Sequence, residues 1–289
     1  MERKLPGVLY LCATPIGNLE DITLRALRVL KEADCIAAED TRHTRKLLSH
    51  YEIHTPLVSY HSHSSQSKAD HLIQRLLQGE NIALVADAGT PGISDPGAEL
   101  VCQALQHDIA VVPVPGPVAA IAALTAAGLP THKFVFEGFL SNQPKTRRKQ
   151  LQALQGEQRT MVFYESPHRL ADTLRDMLAI WGDRPCAVAR ELTKLHEEFK
   201  RGTLARLADY YRQNPPRGEI TLIVGGLPPA EAAARQQETW AELSLAEHVA
   251  SLVDQGIAQK EAIKQVARLR GLAKREVYAA VHGDEGRKG

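Results

Sequence analysis

The sequence has no long hydrophobic run. A membrane-spanning helix needs roughly 18 consecutive apolar residues, whereas apolar segments such as Val8–Ala13 and Ile109–Val114 have the length of a strand. The opening segment Met1–Gly7 also lacks the apolar core of a signal peptide. We therefore expect a protein that stays in the cytoplasm and has no membrane partner.

The net charge is close to zero, and cysteines are few. Lys and Arg number 35 and Asp and Glu 34, which leaves a formal net charge of +1. This balance excludes a global field that would attract nucleic acid, so any such binding must come from local basic patches. The four cysteines stand at wide spacings, which favours buried reduced thiols over disulfides, and we predict no metal site. They are Cys12, Cys35, Cys102 and Cys186.

Strand and helix signals alternate through the first half of the chain. Five strand–helix pairs follow one another, from the strand Val8–Ala13 to the helix Val118–Ala127. This alternation is typical of a mostly parallel sheet covered by helices on both faces. We therefore predict the α/β class, with a parallel-sheet N-terminal domain over residues 1–128.

The pattern changes after Gly128-Leu-Pro130, which is typical of a domain joint. More strands than helices are indicated beyond it, and the segment 196–203 is predicted as a further, antiparallel strand. We expect a second α/β domain with a mixed sheet over 129–227. Residues 228–243 are predicted as a linker or an exposed helix. Residues 244–289 indicate three short amphipathic helices in a helix-turn-helix-like arrangement.

Three loops rich in proline and glycine follow three of the predicted strands. The densest is Asp87–Gly97, and the others are Thr14–Asn18 and Pro113–Pro117. The carboxyl ends of parallel strands meet at one edge of a sheet, so these loops should converge and enclose a ligand mainly with backbone groups. Such a cradle suits a zwitterionic cofactor. The two carboxylates of the densest loop, Asp87 and Asp95, are interpreted as loop-fixing residues.

Five segments carry the most specific signal: Ala13–Leu19, Ala38–Arg42, Asp87–Gly97, Val114–Pro117 and Phe163–Arg169. They resemble the tetrapyrrole methylase superfamily and, within it, the branch that methylates ribosomal RNA. The resemblance implies a cytosolic homodimer that uses S-adenosylmethionine. The implied substrate is the ribose 2′-hydroxyl of a cytidine near the decoding centre of 16S ribosomal RNA, presented by free RNA or by the assembled 30S subunit.

The resemblance also implies cofactor contacts. In the superfamily, loops at the places of Ala88–Thr90, Ile93 and Val118–Ala119 contact the cofactor, and Tyr164–Glu165 lies on the facing domain. This chain departs from the family pattern at Thr90, where the superfamily often has an aspartate. The predicted cofactor-binding residues are Pro15, Gly17, Ala88, Gly89, Thr90, Ile93, Pro115, Gly116, Val118, Ala119 and Glu165.

Methyl transfer from a sulfonium is an in-line displacement, which depends strongly on the alignment of oxygen, carbon and sulfur. A ribose hydroxyl becomes a good nucleophile only when its proton is removed or its developing charge is stabilised. The segment Glu165–His168 places a carboxylate, a hydroxyl and an imidazole together after a predicted strand. We predict Glu165, His168 and Asp40 as catalytic residues, and the alternative for His168 is a surface position at a helix N-terminus.

Basic residues near the predicted loops indicate contacts to RNA phosphates. The run Lys145–Lys149 follows a predicted loop, so we expect it on a mobile element, with a solvated helix start as the alternative. For Arg42 and Arg169 the alternative is an ordinary surface ion pair, and for the C-terminal cluster it is a solvated helix face. The predicted RNA-binding residues are Arg42, Lys145, Arg147, Arg148, Lys149, Arg169, Lys274 and Arg275.

Two other functions stay open on the sequence. One is a methyltransferase for a small molecule such as a tetrapyrrole, which would need neither the basic run nor the C-terminal helices. The other is a non-catalytic RNA-binding protein with a vestigial cofactor pocket, which predicts cofactor binding without turnover.

Overall fold

The computed structural model describes residues 5–60, 66–94 and 97–283. The chain divides into two compact units. The first runs to Gln155 and resumes over Arg159–Gly225, whereas the second combines Gly156–Gln158 with the residues from Gly226 onward. Both α/β halves belong to the first unit, so the boundary expected near residue 128 stays a prediction.

The first sheet is parallel throughout and has the order β3-β2-β4-β1-β5. Its strands are β1 (Val8–Cys12), β2 (Cys35–Ala38), β3 (Leu57–Ser59), β4 (Ile82–Val85) and β5 (Ala110–Val114). The helices between and after them are α1 (Leu24–Glu32), α2 (Thr41–His50), α3 (Gln66–Leu77), α4 (Ala98–Gln106) and α5 (Ala119–Ala126). The five predicted strand–helix units are therefore confirmed.

Alternate residues of each strand face opposite sides of this sheet. On β4, Ile82 and Leu84 pack in one cluster with residues of α3 and α4, whereas Ala83 and Val85 pack in another with residues of α1. Burial of each Leu or Ile side chain contributes about 1.5–3 kcal/mol. Two-sided burial explains why these strands are continuous apolar runs in the sequence.

The second sheet is mixed and has the order β6-β7-β10-β8-β9. Its strands are β6 (Phe134–Phe139), β7 (Thr160–Glu165), β8 (Pro185–Arg190), β9 (Glu198–Thr203) and β10 (Ile220–Val224), and its helices are α6 (Pro144–Ala153), α7 (Leu170–Trp181) and α8 (Leu204–Gln213). β6 and β7 are parallel and the other neighbours are antiparallel, which confirms the predicted mixed sheet and its antiparallel β9.

Helices from both halves cover the second sheet. Met161 and Phe163 of β7 pack with residues of α6, α7 and α8. Val162, which points the other way, packs with Ala123 and Leu124 of α5. The last helix of the first half is thus part of the core of the second.

The start of α6 corrects one expectation. The helix begins at Pro144, so the basic run Lys145–Lys149 lies in its first turns and not on a mobile loop. Proline is favoured at the first helical position because the N–H that it lacks would have no partner there. Gln143, in extended conformation, precedes it as the N-cap.

Most of the described residues of the second unit lie in helices. These helices are α9 (Pro229–Glu242), α10 (Leu245–Asp254), α11 (Gln259–Arg270) and α12 (Lys274–His282). Residues 228–243, predicted as a linker or an exposed helix, contain the helix α9. Alanine favours helix, and proline is tolerated at a helix start. The last three helices confirm the sequence prediction and share a core around Val249, Ile263 and Val277. Within the described residues, no helix is long and apolar enough to cross a membrane.

Candidate active site

The loops after β1 and β4 are tied together at the carboxyl edge of the first sheet. The Thr14 N–H donates to the Gly89 carbonyl over 2.9 Å, and the Gly89 N–H donates to the Thr14 carbonyl over 3.0 Å. The Thr14 hydroxyl also donates to the Ala86 carbonyl. Gly89 has a φ of +80°, which glycine adopts without strain. Its backbone groups therefore shape the loop.

The loop after β5 packs against the loop after β1. A Cβ on Gly116 would lie 2.8 Å from the Cβ of Ala13, so only glycine fits there. Neither Gly116 nor Pro115 is among the described residues that line a cavity at this edge. Gly116 therefore packs two loops together, and the cofactor contact of Pro115 and Gly116 stays a prediction.

A cavity of about 500 Å³ opens beside these loops, within the volume range of small-ligand sites. One side is formed by Asp87–Thr90, Ile93 and Val118–Ala119 of the first half. The facing side is formed by Tyr164–Pro167 and Gly218–Thr221 of the second half. The structure thus brings together seven of the predicted cofactor-binding residues: Ala88, Gly89, Thr90, Ile93, Val118, Ala119 and Glu165.

A second cavity of about 540 Å³ adjoins the first. It is lined by the loop after β1, by α2 and by part of the loop after β4. Pro15 and Gly17 line this cavity and not the first, and their contact with the cofactor stays a prediction. The residues common to both cavities are Ile16, Asp87, Ala88 and Glu219.

Gly17 is required by a turn that sequence reasoning missed. A Cβ at this position would lie 2.4 Å from Lys194 Cγ and 2.8 Å from Thr193 Oγ1. Next to it, the Asn18 N–H donates to Thr193 Oγ1 over 3.0 Å. Thr193 and Glu191 both have positive φ, at 65° and 51°, a strained conformation for such residues. No glycine or asparagine in the turn could have signalled it.

An ion-pair network holds the same turn. Lys194 Nζ lies 2.9 Å from Glu191 Oε1 and 3.1 Å from Glu219 Oε2. The Glu219 N–H also donates to Glu191 Oε1. The hydrogen bond from Lys194, followed by that from the Glu219 backbone, holds the pKa of the Glu191 carboxyl below its usual value. The second half thereby places Glu219, paired with Lys194, on the wall that the two cavities share.

Glu165 lines the first cavity, and its carboxylate is already bonded through both oxygens. Its Oε1 accepts from the Ser166 N–H over 2.7 Å and lies 2.6 Å from Arg169 Nη2. Its Oε2 accepts from the Thr173 hydroxyl over 2.6 Å. These contacts fix the turn between β7 and α7. Arg169 accordingly forms an ion pair, but with a buried carboxylate and not on the surface as its alternative had it, and it also donates to the Leu140 carbonyl.

The other two predicted catalytic residues lie outside both cavities. Asp40 is the N-cap of α2, where it accepts from the Arg42 N–H over 2.8 Å and pairs with the Arg42 guanidinium at 3.0 Å. Those hydrogen bonds lower the pKa of Asp40 to about 2. His168 is exposed two residues before α7 begins. Asp40 therefore caps a helix. His168 lies on the surface near a helix N-terminus, which is the alternative stated for it.

Arg147 cannot reach an RNA phosphate, which corrects its predicted role. Its side chain is buried, as is that of Asp176, and the two are joined by Nη2–Oδ2 and Nε–Oδ2 contacts of 2.6 and 2.9 Å. Arg148 Nε reaches Asp176 Oδ1 at 3.0 Å. Burial raises the pKa of Asp176, but the hydrogen bonds from both arginines hold it below its usual value. Lys145 and Lys149 are exposed.

The remaining predicted RNA contacts are on exposed surface. Arg42 is exposed although it pairs with Asp40. Lys274 and Arg275 are exposed at the start of α12, in the second compact unit. Their contact with RNA stays a prediction.

The family model for tetrapyrrole (corrin/porphyrin) methylases matches residues 8–208. The chain belongs to the tetrapyrrole methylase family. The match covers the first sheet and the strands β6 to β9 of the second, and it ends before β10 and before the lining residues 218–221. Members of this family are methyltransferases, and the cofactor is S-adenosylmethionine.

Relatives of known name extend the similarity beyond the family model. A protein of Halalkalibacterium halodurans is 52% identical over 281 residues, 97% of this chain and 96% of the relative. One of Bacillus subtilis is 50% identical over 276 residues, 96% of this chain and 94% of the relative. Both carry the name ribosomal RNA small subunit methyltransferase I.

Solved structures share the fold of the tetrapyrrole methylases. A cobalt precorrin-4 methyltransferase superposes with a TM-score of 0.59 at 20% identity, over 75% of this chain and 94% of its own. The uroporphyrin-III C-methyltransferase of Thermus thermophilus, complexed with S-adenosyl homocysteine, superposes with a TM-score of 0.56 at 22% identity. The superposition covers 76% of this chain and 97% of that structure. At such identities the likeness establishes the fold alone.

Proposed function

We propose that this chain transfers a methyl group from S-adenosylmethionine to the ribose 2′-hydroxyl of a cytidine near the decoding centre of 16S ribosomal RNA. The observation that carries the proposal is the extent of the similarity to the ribosomal RNA methyltransferases. It covers 97% of this chain in one case, although the family model ends at residue 208. The C-terminal helices are therefore part of what this chain has in common with them.

The first cavity fits the cofactor by the chemistry of its lining. Apolar side chains such as Ile93 and Val118 suit an adenine ring, and hydroxyl groups such as those of Thr90 and Ser94 suit its polar ends. When bound, S-adenosylmethionine supplies an electrophilic methyl group on a sulfonium. The protein's part is to hold the RNA hydroxyl in line with that methyl group and to keep water out.

Residues 164–167 and 218–221 form the facing side of the first cavity, so the proposed cofactor is enclosed by both halves. Arg42, Lys145, Lys149, Lys274 and Arg275 are proposed to contact RNA phosphates, which position the substrate without reading its sequence. A cytoplasmic homodimer is part of the proposal, and light scattering on the eluting protein would test the dimer.

The test is incubation with labelled S-adenosylmethionine and 30S subunits purified from cells that lack the native methylation. We expect label in 16S ribosomal RNA, recovered after digestion as 2′-O-methylcytidine. Naked 16S RNA in a parallel reaction distinguishes free RNA from the assembled subunit as substrate. Label on a base or in a small molecule, or cofactor binding with no transfer at all, would overturn the proposal and favour one of the two alternatives.

A further inference from the structure

Asp87 lies where the two cavities meet. It follows β4 by two residues, and it is among the residues that line both spaces. Oδ1 accepts a hydrogen bond of 2.9 Å from the Asp40 N–H, which is the loop-fixing role expected for this residue. Among the described residues, no donor lies within hydrogen-bond distance of Oδ2. Oδ1 is thus held in place by a hydrogen bond, and Oδ2 can accept a proton.

Three other carboxylates near the cavities lack this combination. Glu165 is bonded through both oxygens, and Asp40 is bonded through both to Arg42. Glu219 shares the wall with Asp87 but is paired with Lys194. Asp87 is therefore the carboxylate on the shared wall for which the described residues provide no cation.

The helix beside the second cavity is basic. From Thr41 to His50, α2 carries three Arg or Lys residues and two histidines, with no acidic residue. His43 and Lys46 line the second cavity. Within the described residues, no carboxylate pairs with Lys46. A lysine ammonium and an imidazole N–H at the edge of a cavity are suitable donors to a phosphate oxygen.

We propose that the second cavity holds the target nucleotide, with His43 and Lys46 on its phosphate and Asp87 as the acceptor of the 2′-hydroxyl proton. This inference rests on the proposed function, because it assigns the two substrates of that reaction to the two adjoining cavities. The cavity volume of about 540 Å³ accommodates a single nucleotide turned out of an RNA strand.

The step balances with the groups present. The ribose oxygen forms a bond to the methyl carbon as the carbon–sulfur bond breaks, and the electrons of the broken bond stay on sulfur as its positive charge is lost. The hydroxyl proton passes to Asp87 Oδ2 and from there to solvent. The hydrogen bond from the Asp40 N–H to Oδ1 keeps the acceptor oriented throughout.

The first experiment is Asp87→Asn, because an asparagine oxygen can still accept from the Asp40 N–H while the basic oxygen is lost. We expect kcat for transfer to 30S subunits to fall about a hundredfold or more. Affinity for S-adenosylhomocysteine, measured by calorimetry, should stay within threefold. A fall in kcat of less than tenfold, or a loss explained by cofactor affinity, would overturn the role of Asp87.

The second experiment compares variants of one helix. His43→Ala combined with Lys46→Ala should raise KM for 30S subunits at least tenfold at about 0.15 M salt. Arg45→Ala is the matched control, because Arg45 is an exposed cation of α2 that lines neither cavity. It should change KM by no more than twofold. An equal rise in KM for the double variant and for Arg45→Ala would overturn the phosphate site. So would an unchanged KM for the double variant.

Failure of the inference can be told apart from failure of the proposed function. Transfer by the wild type with unimpaired variants overturns the inference alone. Absence of RNA methylation by the wild type overturns the proposed function, and the inference with it. RNA binding to protein saturated with S-adenosylhomocysteine, followed by fluorescence anisotropy, must weaken in the double variant independently of turnover.

Discussion

The helices α2 and α6 are both short and basic, yet they place their charges differently. In α6 the central arginine, Arg147, is buried against Asp176 of α7, and Arg148 is drawn to the same carboxylate. In α2 the cap Asp40 engages Arg42, whereas Arg45 and Lys46 are exposed. A basic run thus stabilises the fold in one helix and leaves cations beside a cavity in the other.

The largest effect should come from the buried pair of α6. Asp176→Ala would leave the buried Arg147 without its partner, at a cost of about 3–5 kcal/mol in the free energy of unfolding. Urea unfolding of the full chain would measure it. Asp172→Ala removes an exposed pair with Arg175 from the same helix and should cost less than about 1 kcal/mol. Equal losses would contradict a structural role for Arg147.

A smaller loss is expected where the second cavity meets the turn 191–194. Gly17→Ala would place a methyl group within 2.4 Å of Lys194 Cγ. We expect the crowding to cost about 1–3 kcal/mol of unfolding free energy and to lower transfer to RNA while cofactor affinity is kept. Gly156→Ala, where a Cβ meets nothing within 4 Å, is the control. A fully active and stable Gly17→Ala would show that the close approach is dispensable.

The comparison of the two helices can be sharpened by salt dependence. Each phosphate contact contributes roughly 0.7 to 0.9 to the slope of log affinity against log salt. Lys46→Ala should lower that slope by about one contact's share and weaken RNA binding severalfold. Lys149→Ala, on the exposed face of α6, should have the smaller effect on affinity. The reverse order, measured by RNA-binding titrations between low and moderate salt, would mean that α6 is the principal contact.

The smallest effect concerns the cap of α2. The pKa of Asp40 is lowered to about 2, chiefly by its hydrogen bonds with Arg42, so ionised Asp40 stabilises the folded state. This contribution is fully present above the unfolded pKa near 4 and is lost as the pH falls toward 2. Asp40→Asn keeps a capping oxygen but not the charge. Its deficit in urea midpoint should be present at pH 7 and shrink by pH 3; a deficit independent of pH would refute the charge effect.

Much of the fold could be predicted because its signals are local. Apolar strands such as Ile82–Val85 and amphipathic helices such as Leu204–Gln213 show in the sequence by their period and length. The start of α6 stayed open between a loop and a helix start, because a proline followed by a polar run is compatible with both. The turn 191–194 was missed because its positive φ values are imposed by contacts, not by residue type.

The candidate site was predictable in its loops and not in its individual bonds. Ala88–Thr90 and Val118–Ala119 lie beside the first cavity as expected, since parallel strands carry their terminal loops to one edge. The role of Glu165 depends on Thr173, and the role of Gly17 depends on Lys194. Such tertiary partners cannot be predicted from the residues that adjoin Glu165 or Gly17 in the sequence.

The sequence by itself determined the α/β class, the order of the elements and the three loops at one sheet edge, because hydrophobic period and the placement of glycine and proline act over a few residues. Only the tertiary structure decided which charges are available. Arg147 and Asp176 are 29 residues apart, and Asn18 and Thr193 are 175 apart. A polar group keeps or loses its capacity to bind a ligand according to the partner that folding brings to it, and that partner comes from distant sequence.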